Sequence, residues 1–345
     1  MHIFKKALKI TGIVLGSLIL LLLILALVGF LIVNSKLNKI NRNEITGNPY
    51  LSEDEVYEEP KQDVPDSVDE INEVQREWQE AQNIQLTKTN GVENILLIGA
   101  DRRDTGENGR SDSMIMVTLN YNTNKIHMTS FMRAMYVYIP RSTGATWGML
   151  NAAYSWGGPN LLVDTIELNF RVNIDHYVVV DFAAFEEAVD LLGGVELTLT
   201  EEEARHVKSY SGVPTSAGTQ VLNGAQTRGY CQIRMIDNDF KRTARQRRVI
   251  DKLIETAKNS DINTLLELAD QIFPLVSTDI QDNGVIWNYI FKTFPMLGNV
   301  SKGRMLPIEN EAGESYTGII FVGGREMYRV NFSKNIAALH EYINS

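Results

Sequence analysis

One cysteine, Cys231, is all that 345 residues carry. That excludes an intramolecular disulfide framework and any multi-cysteine metal site. A surplus of positive charge is also missing. The formal net charge is −10 and the pI about 5.1, which argues against general nucleic-acid binding, since that needs a basic surface. There is no G-x-x-x-x-G-K-[ST] loop for nucleotide phosphates, no G-x-S-x-G elbow and no H-E-x-x-H. His2, His127, His176, His206 and His340 stand apart from the motifs below, so a general base would have to be a carboxylate. No internal repeat is visible.

What is present starts with an apolar run. Thr11–Val33 has no charged residue and is rich in Leu and Ile. Its length suits a helix crossing about 30 Å of hydrocarbon, and Ala26-Leu27-Val28-Gly29 makes a poor cleavage site, so we expect an uncleaved single-span anchor. Lys5, Lys6 and Lys9 precede it, which favours residues 1–10 as a cytoplasmic tail and the bulk outside. Residues 34–90 are dense in Asp and Glu and read as a solvated spacer. Its last part differs: Ser67 and Glu70 have capping-box spacing, and Ile71, Val74 and Trp78 recur at helical spacing, predicting a short amphipathic helix that docks on the domain.

At 44% hydrophobic, the chain can bury a full core, and residues 91–345 are expected to form one domain. The compact apolar run Asn94–Ala100 reads as a strand, and Ser113–Leu119 with Lys125–Thr129 as a hairpin. Asn160–Phe170, Phe182–Leu192, Val249–Ala257, Thr264–Ile272, Val285–Leu297 and Ser333–Ile343 read as helices. His176–Val180, Val195–Leu199, Phe321-Val322 and Tyr328–Phe332 read as further strands. Interleaved strands and helices with a hairpin predict a layered α/β domain with a mixed central sheet.

The chemistry concentrates in three places. Asp101 follows the first strand, where ligands of α/β sheets collect, and Asp112 opens the next. Antiparallel pairing of those strands would bring the two carboxylates together, and like charges that close favour a cation between them. Mg²⁺ suits such a pair, because it takes oxygen ligands and keeps phosphate and water as others. From spacing alone, the alternative that both aspartates cap turns stays open. The third place is arginine-rich. Arg234 lies two residues past Gln232 on an expected strand, so both should face one side. Arg242, Arg245 and Gln246 fall at i, i+3 and i+4 on a helix. Arginine forks match phosphate oxygens bidentately, and a solvated basic helix with ion pairs is the alternative.

These segments together resemble the LytR-CpsA-Psr family of Gram-positive envelope proteins. The likeness is carried by NILLIGADRR, RSDSMIMVTLN, SFMRAMYVYIP, MLNAAYSWGGPNLL, YVVVDFAAFEEAVDLLGGVEL, VLNGAQTRGYCQIR and NDFKRTARQRRVI, from about Gly91 to Ile254. The resemblance implies an α/β/α domain with a hydrophobic lipid groove. It implies a membrane-anchored phosphotransferase that moves a glycopolymer, teichoic-acid-like or capsular, from a polyprenyl-pyrophosphate carrier to peptidoglycan. Hydrolysis of the same lipid, or binding without turnover, are the alternatives. By motif position, Asp101 and Asp112 would hold Mg²⁺ or Mn²⁺. Arg103, Arg110, Arg133, Gln232, Arg234, Arg242 and Gln246 would line the pyrophosphate, and Asp101, Arg110 and Arg133 would act in catalysis. Two positions depart from the family pattern: Ala134 stands where P-R-D is frequent, and Gln232 where R-x-R is frequent.

Overall fold

The computed structural model describes residues 29–57, 61–86, 88–100, 109–234, 236, 239–310 and 315–345. Its strands are β1 (Val92–Ala100), β2 (Ser111–Asn120), β3 (Lys125–Phe131), β4 (Tyr136–Ile139), β5 (Thr146–Met149), β6 (His176–Asp181), β7 (Val195–Leu199), β8 (Gly218–Leu222), β9 (Val276–Thr278), β10 (Arg304–Leu306), β11 (Thr317–Val322) and β12 (Arg325–Val330). Its named helices are α1 (Glu53–Val56), α2 (Val68–Ala81), α3 (Leu150–Phe170), α4 (Phe182–Leu191), α5 (Glu201–Ser211), α6 (Gly224–Gln232), α7 (Asp239–Asn259), α8 (Ile262–Ile272), α9 (Asn283–Thr293) and α10 (Phe332–Asn344).

Six strands form the central sheet in the order β10-β3-β2-β1-β6-β9. The β2–β3 hairpin and the antiparallel β1–β2 pair fall where the alternating apolar pattern puts them. β6 joins β1 in parallel after a helical crossover, and β9 pairs antiparallel beyond it, so the sheet is mixed. Along β1 every second residue is buried, with Leu96, Ile98 and Ala100 turned to the main core. The intervening Ile95, Leu97 and Gly99 are only half covered. An apolar run such as NILLIGA predicts a strand covered on both faces. Here one face is sealed by α3, α10 and α2, and the other retains an open stretch.

The acidic segment is not a free spacer. Val56 and Tyr57 are buried in the main core, and Trp156 Nε1 donates to the Leu51 carbonyl at 3.0 Å. This path follows from a break in α3. Gly157 and Gly158 leave helical geometry, with Gly158 at φ +66°, a conformation glycine adopts without a Cβ penalty. The chain at Ile45–Asn48 crosses the break so closely that a Cβ on Gly47 would fall 2.1 Å from the Gly157 nitrogen. Net acidity thus concealed a few apolar anchors. α2 forms as its spacing predicts and buries Val74, with the Trp78 ring centroid 4.5 Å from that of Tyr138, the two rings tilted by 31°. The capping box does not form. Ser67 Oγ accepts instead from the Phe321 amide at 3.0 Å, tying the helix to β11, because an open strand edge offered a competing donor.

Residues 1–10, and all of Thr11–Val33 except its last five residues, lie outside the described residues. Among the described residues no helix is long and apolar enough to cross a membrane.

Candidate functional site

The end of the sheet formed by Ala100, Ser111 and Asp181 gathers most of the sequence-predicted polar residues. Asp112 projects from β2. Arg133 Nη1 lies 3.7 Å and Arg234 Nη2 3.6 Å from its Oδ1. Gln246 Nε2 donates to the Asp112 backbone carbonyl at 3.4 Å, which brings α7 onto β2. Arg110, half-buried, feels Asp112, Arg133 and Arg234 together. Burial and the two neighbouring guanidiniums lower its pKa, against the opposing pull of Asp112. Arg242 is 3% exposed. Burial first, and Arg133 next, push it down to about 10. It stays a cation at neutral pH, but a crowded one. Asp101 and Arg103 lie outside the described residues.

Asp239 completes this cluster, and our reading of the sequence assigned it no role. Its carboxylate lies 3.3 Å from Arg242 Nη1 and 3.8 Å from Arg133 Nε. Two signals could have found it: an acid in the first turn of a helix, and an i, i+3 spacing to an arginine. It gives Arg133 a carboxylate from α7, where the neighbouring Ala134 supplies none. Ala134 is itself buried in the main core, and its carbonyl accepts from Tyr328 N at 2.9 Å. Among the described residues, four guanidiniums therefore converge on two carboxylates.

One expectation needs correction and a second needs refinement. Gln232 and Arg234 do not share a strand. α6 runs to Gln232, and the chain then turns out of the helix at Ile233 (ψ 124°). Both side chains still reach the same cleft, by way of a helix end. The asparagine-led capping box at Asn223 and Gln226 nucleates that helix, a signal visible in the sequence but not read there. Secondly, Arg242, Arg245 and Gln246 lie within one 100° arc of α7, as their spacing predicts, but do not share one role. At 100° per residue, Arg242 and Gln246 are 40° apart, while Arg245 lies 60° to the other side. Arg245 donates to the Ile233 carbonyl at 2.8 Å and lies over the Tyr230 ring, so it braces the turn and leaves the cleft to the other two.

The cleft of about 240 Å³ starts at Asp112, Arg234 and Arg242 and continues along the open sheet face. Its walls are apolar: Leu97, Ile115 and Val180 from the sheet, Phe182 and Phe185 from α4, and Leu253 from α7. Arg228 also lines it, paired with Glu186 and donating to Gln232 Oε1 at 3.3 Å. A guanidinium thus stands one helical turn before the position where Gln232 lacks one. Cys231 lies in the wall with its thiol pushed up to about 12 by burial, so it is not a nucleophile at neutral pH. The arrangement is cationic at one end and oily at the other, and suits an anion carrying an apolar tail.

For a divalent cation, the fit rests on Asp112. Its Oδ1 is buried and accepts no hydrogen bond among the described residues. An anionic oxygen so placed suits a hard cation that keeps its other positions for phosphate and water. No group of three acidic, histidine or cysteine ligands occurs among the described residues.

Comparison with known proteins follows the same lines. The model of the LytR_cpsA_psr family matches residues 61–321. The chain is 30% identical over 262 residues to the regulatory protein MsrR of Staphylococcus aureus, covering 74% of this chain and 76% of that one. It is 34% identical over 262 residues to the polyisoprenyl-teichoic acid–peptidoglycan teichoic acid transferase TagU of Oceanobacillus iheyensis, covering 72% and 76%. The crystal structure of protein gbs0355 from Streptococcus agalactiae superposes with a TM-score of 0.63 at 24% identity, over 73% of this chain and 86% of that one.

Proposed function

The chain belongs to the LytR-CpsA-Psr family, and on that premise we propose that it transfers a phosphate-linked wall glycopolymer from a polyprenyl-pyrophosphate carrier to peptidoglycan. The observation that carries this reading is the cleft, in which a guanidinium cluster opens directly onto an apolar trough. The TagU relative, named for this transfer, supports it.

The pyrophosphate would lie against Arg110, Arg133, Arg234 and Arg242, with Gln246 and Gln232 as neutral donors. Planar forks hold two phosphate oxygens each. Charge grows on the transferring phosphoryl group and on the departing lipid phosphate, and pre-placed cations in a partly dry cleft stabilise it without reorganising. Asp239 holds Arg133 and Arg242 in place for that task. The isoprenoid chain would bury against Leu97, Phe182 and Phe185, at about 25 cal/mol per Å² of apolar surface. Asp112, with Asp101 by motif position, would hold Mg²⁺. Such an ion supplies Lewis-acid polarisation of phosphate oxygens when bound. An acceptor sugar hydroxyl attacks in line, and Asp101 is our candidate for orienting it. Thr11–Val33 would hold the protein in the cell membrane, with the domain on the outer side where lipid-linked polymer and wall meet.

The test is incubation of the purified protein with a polyprenyl-pyrophosphate glycan, Mg²⁺ and peptidoglycan oligomers, followed by mass analysis. A glycan phosphodiester on the oligomers is the expected product. Free glycan phosphate formed equally with and without oligomers would replace transfer by hydrolysis.

A further inference from the structure

The described chain opens on helical residues 29–37, and the first five of these are the last five of the apolar run Thr11–Val33. Phe30 stacks on Trp287 of α9 with ring centroids 5.1 Å apart, and Trp287 stacks on Phe291 at 5.4 Å. Leu31 is 56% exposed and Phe291 69%. The opposite side of α9 is already used. Tyr289, like Ile95 and Val117, packs against the cluster of Leu119, Ile126 and Met296, and it meets His176 edge-on. α9 therefore carries apolar side chains both toward the protein and, through Trp287, Ile290 and Phe291, away from it, with the exposed Asn288 and Lys292 between the two sides; an ordinary surface helix has a polar outer side.

The position of this outer face identifies what covers it. A helix rises about 1.5 Å per residue, so Phe30 lies about 4–5 Å inside the end of the apolar run. If that run spans a bilayer, Phe30 is below the headgroups, and Trp287 in contact with it is at similar depth. Lys36 and Lys39, both paired with Asp270, follow three and six residues past the end of the run, where basic groups meet headgroups. The angle between the two helices is fixed. Asn283 Nδ2 donates to Asn34 Oδ1 at 3.1 Å and Asn38 Oδ1 at 2.7 Å, and Arg42 Nε to the Ile280 carbonyl at 2.8 Å.

We propose that α9 is an interfacial membrane helix whose Trp287, Ile290 and Phe291 seat in the outer leaflet beside the emerging anchor. This rests on the anchor reading given above. It also sets the direction of the cleft. The floor residues Gly99 and Leu97 are followed on the same side of β1 by Ile95, whose register partner His176 meets Tyr289 of α9 edge-on. The apolar end of the cleft thus points to the leaflet that holds the carrier lipid, and the arginine end points away from it.

The test uses the full chain in vesicles of phosphatidylcholine and phosphatidylglycerol. Nitroxide labels are placed at Phe291→Cys and, on the other face of the sheet, at Ile319→Cys, each with Cys231→Ser. In protein that floats with the vesicles, the label at position 291 should collide several-fold more with oxygen than with an aqueous nickel chelate, relative to the label at 319. Equal nickel access at both positions would overturn the proposal while leaving the anchor intact. Shielding of position 291 from both reagents would overturn it in favour of a second protein copy. Failure to float would remove the anchor reading and this inference with it. With Cys231 retained, brominated phosphatidylcholine should quench a tryptophan component that Trp287→Phe lacks, and no difference would count against the proposal.

Discussion

The two ends of the central sheet are built from the same strands and treat charge in opposite ways. At the far end, carboxylates are closed by short hydrogen bonds. Asp279 takes His176 Nδ1 and the Tyr177 amide, both at 2.9 Å, and Asp175 takes Lys88 and the Asn94 amide, also at 2.9 Å. Glu93 accepts from the Tyr121 hydroxyl at 3.0 Å. At the cleft end, the described ion pairs of Asp112 and Asp239 run from 3.3 to 3.8 Å, and like-charged guanidiniums are crowded. Buried polar groups are costly unless satisfied. The far end satisfies its groups and stabilises the fold. The cleft end holds charge at distances that an incoming phosphate can shorten.

The strongest way to break this contrast is Arg234. The side chain is 33% exposed, so little folding energy depends on it. Arg234→Ala and Arg234→Lys should each lower transfer by roughly 10²-fold, since lysine keeps the charge but loses the fork. Thermal midpoints should stay within about 2 °C. Near-normal kcat/KM for the lysine variant would reduce the residue to a local charge.

Asp239 lies on the border between the two behaviours, because it touches two buried arginines. Asp239→Asn should cost roughly 2 kcal/mol of stability by leaving Arg133 and Arg242 without their shared carboxylate. Transfer should fall by about tenfold. Denaturant melts and kinetics on one preparation check both, and full activity would show that the arginines need no orientation from α7.

The smallest effect belongs to the far end. The Asp279 hydrogen bond raises the His176 pKa above its usual 6.5. Burial alone would raise the Asp279 carboxyl, but His176 and the Tyr177 amide outweigh it, and the net direction is down. The His176 contribution is thus complete below about pH 6.5 and fades as pH rises through its raised value. The Asp279 contribution is present above the usual carboxylate range and is lost in acid. Unfolding free energy should therefore decline by less than about 1 kcal/mol on the alkaline side. Asp279→Asn should flatten that slope, and an unchanged slope would assign it to another group.

Much of this contrast could be read from the sequence, for reasons that differ by element. The β1–β2–β3 meander and the α4 boundary at Gly193-Gly194 follow from local alternation and stop signals. That Arg110, Arg133, Arg234 and Arg242 would gather was legible because their spacing matches a family pattern. Asp239 was not, since one acid beside several arginines looks like an ordinary surface pair until the fold brings Arg133 to it. β9 and β10 have three residues each, too few for a periodic signal, and exist only because the sheet edge supplies their partners. The docking of the acidic segment depends on Gly47 meeting the break at Gly157-Gly158, a long-range fit that local composition does not encode.

The most direct test compares Asp112→Ala with Asp279→Asn, measuring transfer rate and unfolding free energy for both. Asp112→Ala should lose transfer by at least about 10²-fold and keep its stability within about 1 kcal/mol. Asp279→Asn should lose about 1–2 kcal/mol of stability and keep its transfer rate. If Asp112→Ala unfolds the protein while transfer by Asp279→Asn collapses, the division of labour between the two ends of the sheet is wrong.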